Sequence, residues 1–365
     1  MTNATARTFQ VRKDNLRLSR ILDTPHMSSG ALSPGQVHVK IDRFALTANN
    51  ITYAAFGDRM RYWDFFPAAD GWGNIPVWGF ADVVASTADG IAAGERFYGY
   101  YPMASHVTLQ ASRTSPAGFM DLSPHRAELA AVYNSYARTA GDPAYVAARE
   151  NEQALLKPLF FTSFLIADLL ADNHFFGASS VILSSASSKT AYGLAHTLSE
   201  LPAPRPRIIG LTSPRNLAFT AGLGCYDEVR LYDDISALPT AAKAVYVDMS
   251  GDAAVRSALH TRFADQLAYS CSVGGTHWEH LGGGGALPGP RPVLFFAPGQ
   301  IKKRTAEWGA PELHRRLGLA WSGFLPKLAT WMHVIEGRGA DAVTQTYLAV
   351  LEGRVTPDQG HILGF

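Results

Sequence analysis

The rhythm of apolar and polar positions changes twice along the chain. From about residue 8 to 125, short alternating or apolar stretches such as Gln36–Leu46, Ile75–Ser86 and Arg96–Tyr101 are broken by Gly, Pro and Asp, which predicts a small β-barrel-like domain. The stretch Arg126–Glu152 is rich in Ala and Tyr with few β-branched residues, and Lys157–Leu170 follows with helical apolar spacing. From Ser179 onward, strand-like and helical patterns alternate. Strands are expected at Ser180–Ser184, Arg207–Leu211, Ala244–Met249, Gln266–Ser272 and Pro292–Phe296, and five strands with crossover helices predict a parallel, doubly wound sheet. The glycine run Gly282–Gly285 reads as a surface loop. Beyond residue 304 the pattern is helical around Leu313–Leu328 and Ala340–Leu351, and a strand-like His361–Phe365 is placed to pair back with the first domain. The predicted class is α/β, with residues 1–155 and 304–365 in one domain and 156–303 in a Rossmann-type domain.

Composition narrows the classes of partner. Lys and Arg total 32 against 31 Asp and Glu, so no strong basic field is available to hold a nucleic-acid backbone. No uninterrupted apolar run reads as membrane-spanning and the N-terminus lacks a signal-peptide layout, so a cytoplasmic protein without membrane attachment is expected. The two cysteines, Cys225 and Cys271, form neither a disulfide framework nor a Cys-rich zinc site, and no metal is expected.

Candidate chemistry gathers at the first strand of the sheet. A nucleotide-binding turn needs a strand, a tight loop, and a helix whose first free amides face a pyrophosphate. Ser180–Ser184, Ser185–Lys189 and the helix from Thr190 supply that layout. The usual glycines are missing, but Ser185, Ser187, Ser188 and Thr190 offer hydroxyl donors and Lys189 a charge. A Ser-rich helix cap is the plain alternative. A P-loop is disfavoured because its glycines are absent. About 20 residues further on, where an acidic residue would hold the ribose 2′-hydroxyl of NAD, stand Thr212, Ser213, Arg215 and Asn216. Hydroxyls and a guanidinium without a carboxylate favour a 2′-phosphate, hence NADPH, although Ser213 could instead cap the next helix.

These segments resemble the medium-chain dehydrogenase/reductase superfamily, in its zinc-free quinone-oxidoreductase and enoyl-reductase branch. Leu46–Gly57 is similar to the family's substrate-side segment, Ile75–Val84 to its Gly-rich strand, Ala93–Gly99 to its G-D-R-V turn, and Val247–Gly251 to its D-x-x-G turn. The resemblance implies a chaperonin-10-like barrel built from both chain ends, an inserted Rossmann domain, and a homodimer formed through the Rossmann sheets. It departs from the family pattern in the glycine-poor loop. In the segment Asn49–Tyr53, where zinc-dependent relatives keep a Cys ligand, no thiol is present.

Without a metal, the charge that develops on a substrate oxygen must be met by hydrogen bonds. Tyr53, Asn49 and Asn50 are the candidates, with a loop that satisfies only its own backbone as the alternative. Ser250, Ser272, Val273 and Gly274 are expected along the cofactor, and His277 beside it as a proton shuttle. A metal at His277, Glu279 and His280 lacks a further ligand. Trp63, Phe65, Phe66, Tyr98, Tyr100 and Tyr101 could line a pocket for a hydrophobic or aromatic substrate, or simply form core. The expected activity is NADPH-dependent reduction of an α,β-unsaturated carbonyl or a quinone. A carbonyl reductase, a cofactor-binding protein without turnover and a non-redox enzyme on the same fold are the alternatives.

Overall fold

The chain opens with an antiparallel pair, β1 (Thr5–Arg12) and β2 (Ser19–Pro25), whose Phe9 and Val11 are fully buried. Residues 5–25, 32–273 and 287–365 are described by the structure, a computed structural model. Then follow β3 (Gln36–Leu46), α1 (Ala48–Ala55), β4 (Trp72–Gly73), β5 (Pro76–Ser86), β6 (Arg96–Pro102), β7 (His106–Ser115), β8 (Gly118–Asp121) and β9 (Ser135–Arg138). The barrel closes because β3 is long enough to pair with β5 along one edge and with β7 along the other, completing the ring β3-β5-β6-β9-β8-β7. Val37, Val39 and Ile41 alternate into its interior, as a half-buried strand requires.

The long helix α2 (Glu150–Asp172) leads into the parallel sheet. Its elements are β10 (Ser180–Leu183), α3 (Lys189–Ser199), β11 (Arg207–Thr212), α4 (Leu217–Gly222), β12 (Glu228–Leu231), β13 (Ala244–Asp248), α5 (Ala253–Phe263), β14 (Leu267–Ser272) and β15 (Val293–Leu294). Two helices, α6 (Ala297–Trp308) and α7 (Ala310–Leu328), come next, then β16 (His333–Arg338), α8 (Ala340–Leu351) and β17 (Gln359–Gly364). The strand order β12-β11-β10-β13-β14-β15 is that of a doubly wound dinucleotide fold, with its switch point between β10 and β13. The fold is therefore the expected barrel plus doubly wound sheet, with six strands rather than five. The overlooked strand, β12, is a short polar edge without a continuous apolar run. In β10, by contrast, Val181, Ile182 and Leu183 are all fully buried, as in a parallel strand covered on both faces.

By its internal contacts the chain divides into Met1–Leu155 with His333–Phe365, and Leu156–Met332. Residues 304–332, expected with the barrel, thus belong to the second unit. Gln300 and Arg304 on α6 donate to Asp168 of α2 at 2.7 and 2.6 Å, and Phe324 on α7 stacks on Phe160 at 4.5 Å. The amphipathic faces of α6 and α7 are used up there. In the barrel unit, β17 pairs antiparallel with β3 as the strand-like C-terminus suggests, and it also receives β16 in parallel. Among the described residues one helix, Ala147–Asp172, is long and apolar enough by length and composition to cross a membrane, contrary to the sequence reading. Its Leu159, Phe160, Ile166 and Leu170 are buried in the fold, as in a core helix.

Candidate functional site

One candidate site lies in the parallel-sheet unit. Ser184, at the end of β10, is fully buried and donates from Oγ to Asp248 Oδ1 at 2.9 Å. The next residue turns sharply: Ser185 has φ +49°, in the left-handed region where an L side chain crowds its own backbone. Its amide donates to the Tyr232 hydroxyl at 2.9 Å, while the Ala186 amide donates to the Leu211 carbonyl at 3.0 Å. Ser188 starts α3 as its N-cap and accepts from the Ala191 amide at 3.3 Å. Among the described residues the amides of Ser187 and Thr190 find no partner, so the loop and the first turn of α3 leave donors available to an anion.

The loop after β11 joins this turn, since Asn216 Nδ2 donates to Ser187 Oγ at 3.1 Å. Ser213 precedes the short helical turn Pro214–Asn216, yet its side chain makes no capping bond. The capping alternative is thereby removed; Ser213 is half-buried and Arg215, two residues on, is exposed. Thr212 is buried at the strand end. Ser250 does not reach outward as the sequence reading expects. It is fully buried, donates to Asp248 Oδ1 at 3.0 Å and accepts from the Asp252 amide at 3.2 Å, so its hydroxyl shapes the turn after β13. Ser272 and Val273 end β14 half-buried, with the Val273 amide donating to the Asp248 carbonyl at 2.9 Å. Gly274, His277, Glu279, His280 and the Gly282–Gly285 loop lie outside the described residues.

A second candidate site is an aromatic box in the barrel unit. Helix α1 carries Asn49, Asn50 and Tyr53, and the three separate in role. Asn50 is buried, its Oδ1 accepts from the Thr47 amide at 2.8 Å, and its Nδ2 donates to the Pro76 carbonyl at 2.9 Å. Its amide is therefore structural, which corrects its place among the substrate-orienting candidates. Asn49 and Tyr53 are one helical turn apart and share a face. Gly57 ends this segment because the Trp63 indole lies on it: a Cβ there would fall 2.0 Å from Nε1.

Around Tyr53 stand Tyr62, with ring centroids 4.5 Å apart, Tyr100 at 5.7 Å and Tyr133 at 6.4 Å. Tyr62 and Tyr133 bring their hydroxyls to 3.5 Å. Trp78, Phe65 and Phe66 complete the box. Burial raises the Tyr53 phenol above its ordinary range and the Tyr62 phenol adds to this, against weaker hydrogen-bonding effects of Trp78, Asn49 and Tyr133. Tyr62, Tyr100 and Tyr133 are raised by burial as well. The box thus keeps its phenols protonated, as donors, at neutral pH. Among the described residues the Tyr100 hydroxyl is buried without a hydrogen-bond partner, and the buried Trp78 Nε1 makes no well-formed hydrogen bond. Tyr98 stacks on Trp78 at 5.5 Å, whereas Tyr101 donates to the Phe97 carbonyl and Trp63 packs beneath the segment, so these two are core.

Beneath the box sits a charge pair. Arg126 and Asp121, 1% and 2% exposed, meet at 3.1 Å. Arg126 donates from Nε to the Phe65 carbonyl at 3.1 Å and lies 4.4 Å from the Phe66 ring centroid. It also donates to the Tyr136 hydroxyl, which in turn donates to the Tyr100 carbonyl at 2.7 Å.

The family model described as "Protein of unknown function (DUF2855)" matches residues 44–356. The chain belongs to this family. None of the curated proteins matches the sequence. Among solved structures, CurA from Vibrio vulnificus in complex with NADPH is similar with a TM-score of 0.63 and 11% identity, over 98% of each chain. A mutant form of the enoyl thioester reductase from Candida tropicalis follows with 0.59 and 13%, over 99% of this chain and 100% of that one. The yhdH oxidoreductase from Salmonella enterica in complex with NADP gives 0.54 and 14%, over 98% and 99%. At such identities the likeness establishes a shared fold.

Within this DUF2855 chain, the structure gathers Ser185, Ser187, Ser188, Lys189, Thr190, Thr212, Ser213, Arg215 and Asn216 on two neighbouring loops of the parallel sheet, and Asn49 with Tyr53 at the box. Sequence reasoning missed Tyr62, Tyr133 and Arg126. The Tyr-rich composition of Arg126–Glu152 was the signal available for Tyr133. For Arg126 there was none, because a buried arginine looks like any surface arginine until its partner is known.

Proposed function

We propose that the protein is an NADPH-dependent, zinc-independent reductase of the medium-chain type, acting on a hydrophobic or aromatic α,β-unsaturated carbonyl or quinone. The observation that carries this reading is the pairing of the loops that follow the neighbouring strands β10 and β11. One presents free amides at the start of α3, and the other presents Ser213 and Arg215 with no carboxylate between Thr212 and Asn216. The first loop suits a diphosphate and the second a 2′-phosphate, on which a guanidinium donates charge-assisted bonds. The fold shared with structures solved with NADPH or NADP supports the same cofactor.

Bound there, the cofactor supplies a hydride. The chain's own part is to meet the charge that forms on the substrate oxygen. Tyr53, kept protonated by its buried surroundings, donates a hydrogen bond to that oxygen and is the source of the proton that completes the reduction. Asn49 on the same helical face orients the oxygen. No thiol stands in the Asn49–Tyr53 segment, which is why the reading is zinc-independent.

A homodimer belongs to the proposal. Strand β15 is the outer strand of its sheet among the described residues, and Val293, Leu294 and Phe296 beside it are each about half exposed. Such an apolar edge fits a second copy that continues the sheet. Sedimentation of wild type and Leu294→Lys checks this; a monomeric wild type refutes it. The cofactor reading is tested by titrating the protein with NADPH and NADH while following tryptophan fluorescence. Saturable NADPH binding, and loss of nicotinamide absorbance with enones or quinones, are expected. Failure of both nucleotides to bind refutes the reading.

A further inference from the structure

We infer that Tyr232 is a positioning residue for the nucleotide turn: its hydroxyl, accepting the Ser185 amide, holds in place a left-handed bend that a glycine would otherwise adopt unaided. The inference rests on reading residues 184–191 as the diphosphate-binding turn.

In a strand-turn-helix of this kind the first glycine exists to make the tight turn. Here Ser185 occupies that point with φ +49°, a conformation disfavoured for a residue with a Cβ. Something outside the turn must over-determine it. The structure shows a clamp from two tyrosines that follow in sequence after β11. The Ser185 amide donates to the Tyr232 hydroxyl at 2.9 Å, and Tyr232 is the first residue of the helical turn after β12. One peptide further on, past the bend, the Tyr226 hydroxyl donates to the Ala186 carbonyl at 2.8 Å. Ala186 is pressed onto β11, since a Cβ added at Gly210 would come within 2.9 Å of the Ala186 Cβ. The bend is therefore held at the Ser185 amide before it and at the Ala186 carbonyl and side chain after it.

The consequence is directional. Because the Ser185 amide is held by the phenol, it is not itself a ligand donor. The clamp instead fixes the residues that follow, among which the amides of Ser187 and Thr190 find no partner among the described residues. Loss of the phenol oxygen lets Ser185 relax from the left-handed region and carries those amides away from a common focus. A glycine at 185 has no such tendency, so it makes the phenol dispensable.

The test uses wild type, Tyr232→Phe, Ser185→Gly and the double variant, each titrated with NADPH and with adenosine 2′-monophosphate, which lacks the diphosphate. Tyr232→Phe is expected to weaken NADPH about tenfold, the equivalent of one hydrogen bond, while adenosine 2′-monophosphate binds unchanged. In the double variant NADPH affinity returns to within about twofold of Ser185→Gly alone. Ser185→Gly by itself binds NADPH at least as well as wild type and unfolds at higher denaturant, a readout that survives if Tyr232→Phe fails to fold. Unchanged NADPH affinity in Tyr232→Phe, absence of recovery in the double variant, or weaker binding by Ser185→Gly overturns the inference while leaving the cofactor reading intact. A wild type that binds no NADPH overturns both.

Discussion

At the head of β10 the backbone is bent into a conformation that Ser185 disfavours, and short bonds from Tyr232, Tyr226 and Asn216 surround the bend. Around Tyr53 the backbone is an ordinary capped helix, but among the described residues the buried Tyr100 hydroxyl has no hydrogen-bond partner and the buried Trp78 Nε1 no well-formed one. In the first region the bend itself is matched by polar groups inside the protein, with the Ser187 and Thr190 amides left open beyond it, and strain is stored. In the second, the helix that bears Tyr53 carries no left-handed residue and hydrogen-bonding capacity is left open. An anion-binding turn must fix backbone amides before the ligand arrives, whereas a box of phenols needs unclaimed donors for an oxygen that becomes charged only during reaction.

The sharpest way to separate the two regions is to remove the support of the box. Arg126→Met leaves Asp121 buried without its counter-charge, and the expected loss is about 3–5 kcal/mol of stability. Denaturant unfolding checks this; a loss under about 1 kcal/mol means that the pair is dispensable. Next in size is Tyr53→Phe, which keeps the ring and deletes the donor. Turnover is expected to fall about a hundredfold with NADPH affinity unchanged. Equal turnover removes the phenol from the chemistry.

These two regions were also unequally legible in the sequence. The barrel and sheet could be read because burial imposes periodicity: Val37, Val39 and Ile41 alternate, and Val181–Leu183 run on without a break. The nucleotide turn could be placed because it follows such a strand, but its bend could not, since a left-handed serine has no composition signal of its own. Asn49 and Asn50 looked equivalent. They were divided only by helix geometry, which sends Asn50 to the Thr47 amide and the Pro76 carbonyl. Domain membership of residues 304–332 was misjudged for a similar reason: amphipathic spacing announces that a face is buried, but not against which partner, and Asp168 lies more than a hundred residues away from Arg304.

A third change acts on the turn side of the contrast. Arg215→Ala is expected to weaken NADPH by about 10- to 100-fold, the range of one or two charge-assisted bonds, and to leave NADH within about twofold. Parallel titrations of both cofactors measure the difference. Equal weakening would mean that Arg215 acts on the fold and not on the 2′-phosphate.

The smallest expected effect concerns acid, and it divides the regions by charge. The clamp on the turn joins uncharged groups, so lowering the pH leaves those bonds alone. The barrel unit instead depends on carboxylates: Asp42 accepts from Arg96 at 2.7 Å and from Arg43 at 2.9 Å. Burial opposes its charge, but the bonds from Arg96 and Arg43 prevail and bring the carboxyl down to about 2. A carboxyl depressed in the folded state contributes stability in full above its unfolded value near 3.9 and loses it as the pH falls toward about 2. Allowing for partial solvent screening, the contribution is about 1 kcal/mol. Asp42→Asn is therefore expected to lower stability at pH 7 by about that amount and to flatten its decline between about pH 4 and 2. Urea unfolding across that window measures both, and a variant whose acid limb retains the wild-type slope would show that the arginines find equal partners in Asp82 and Glu150.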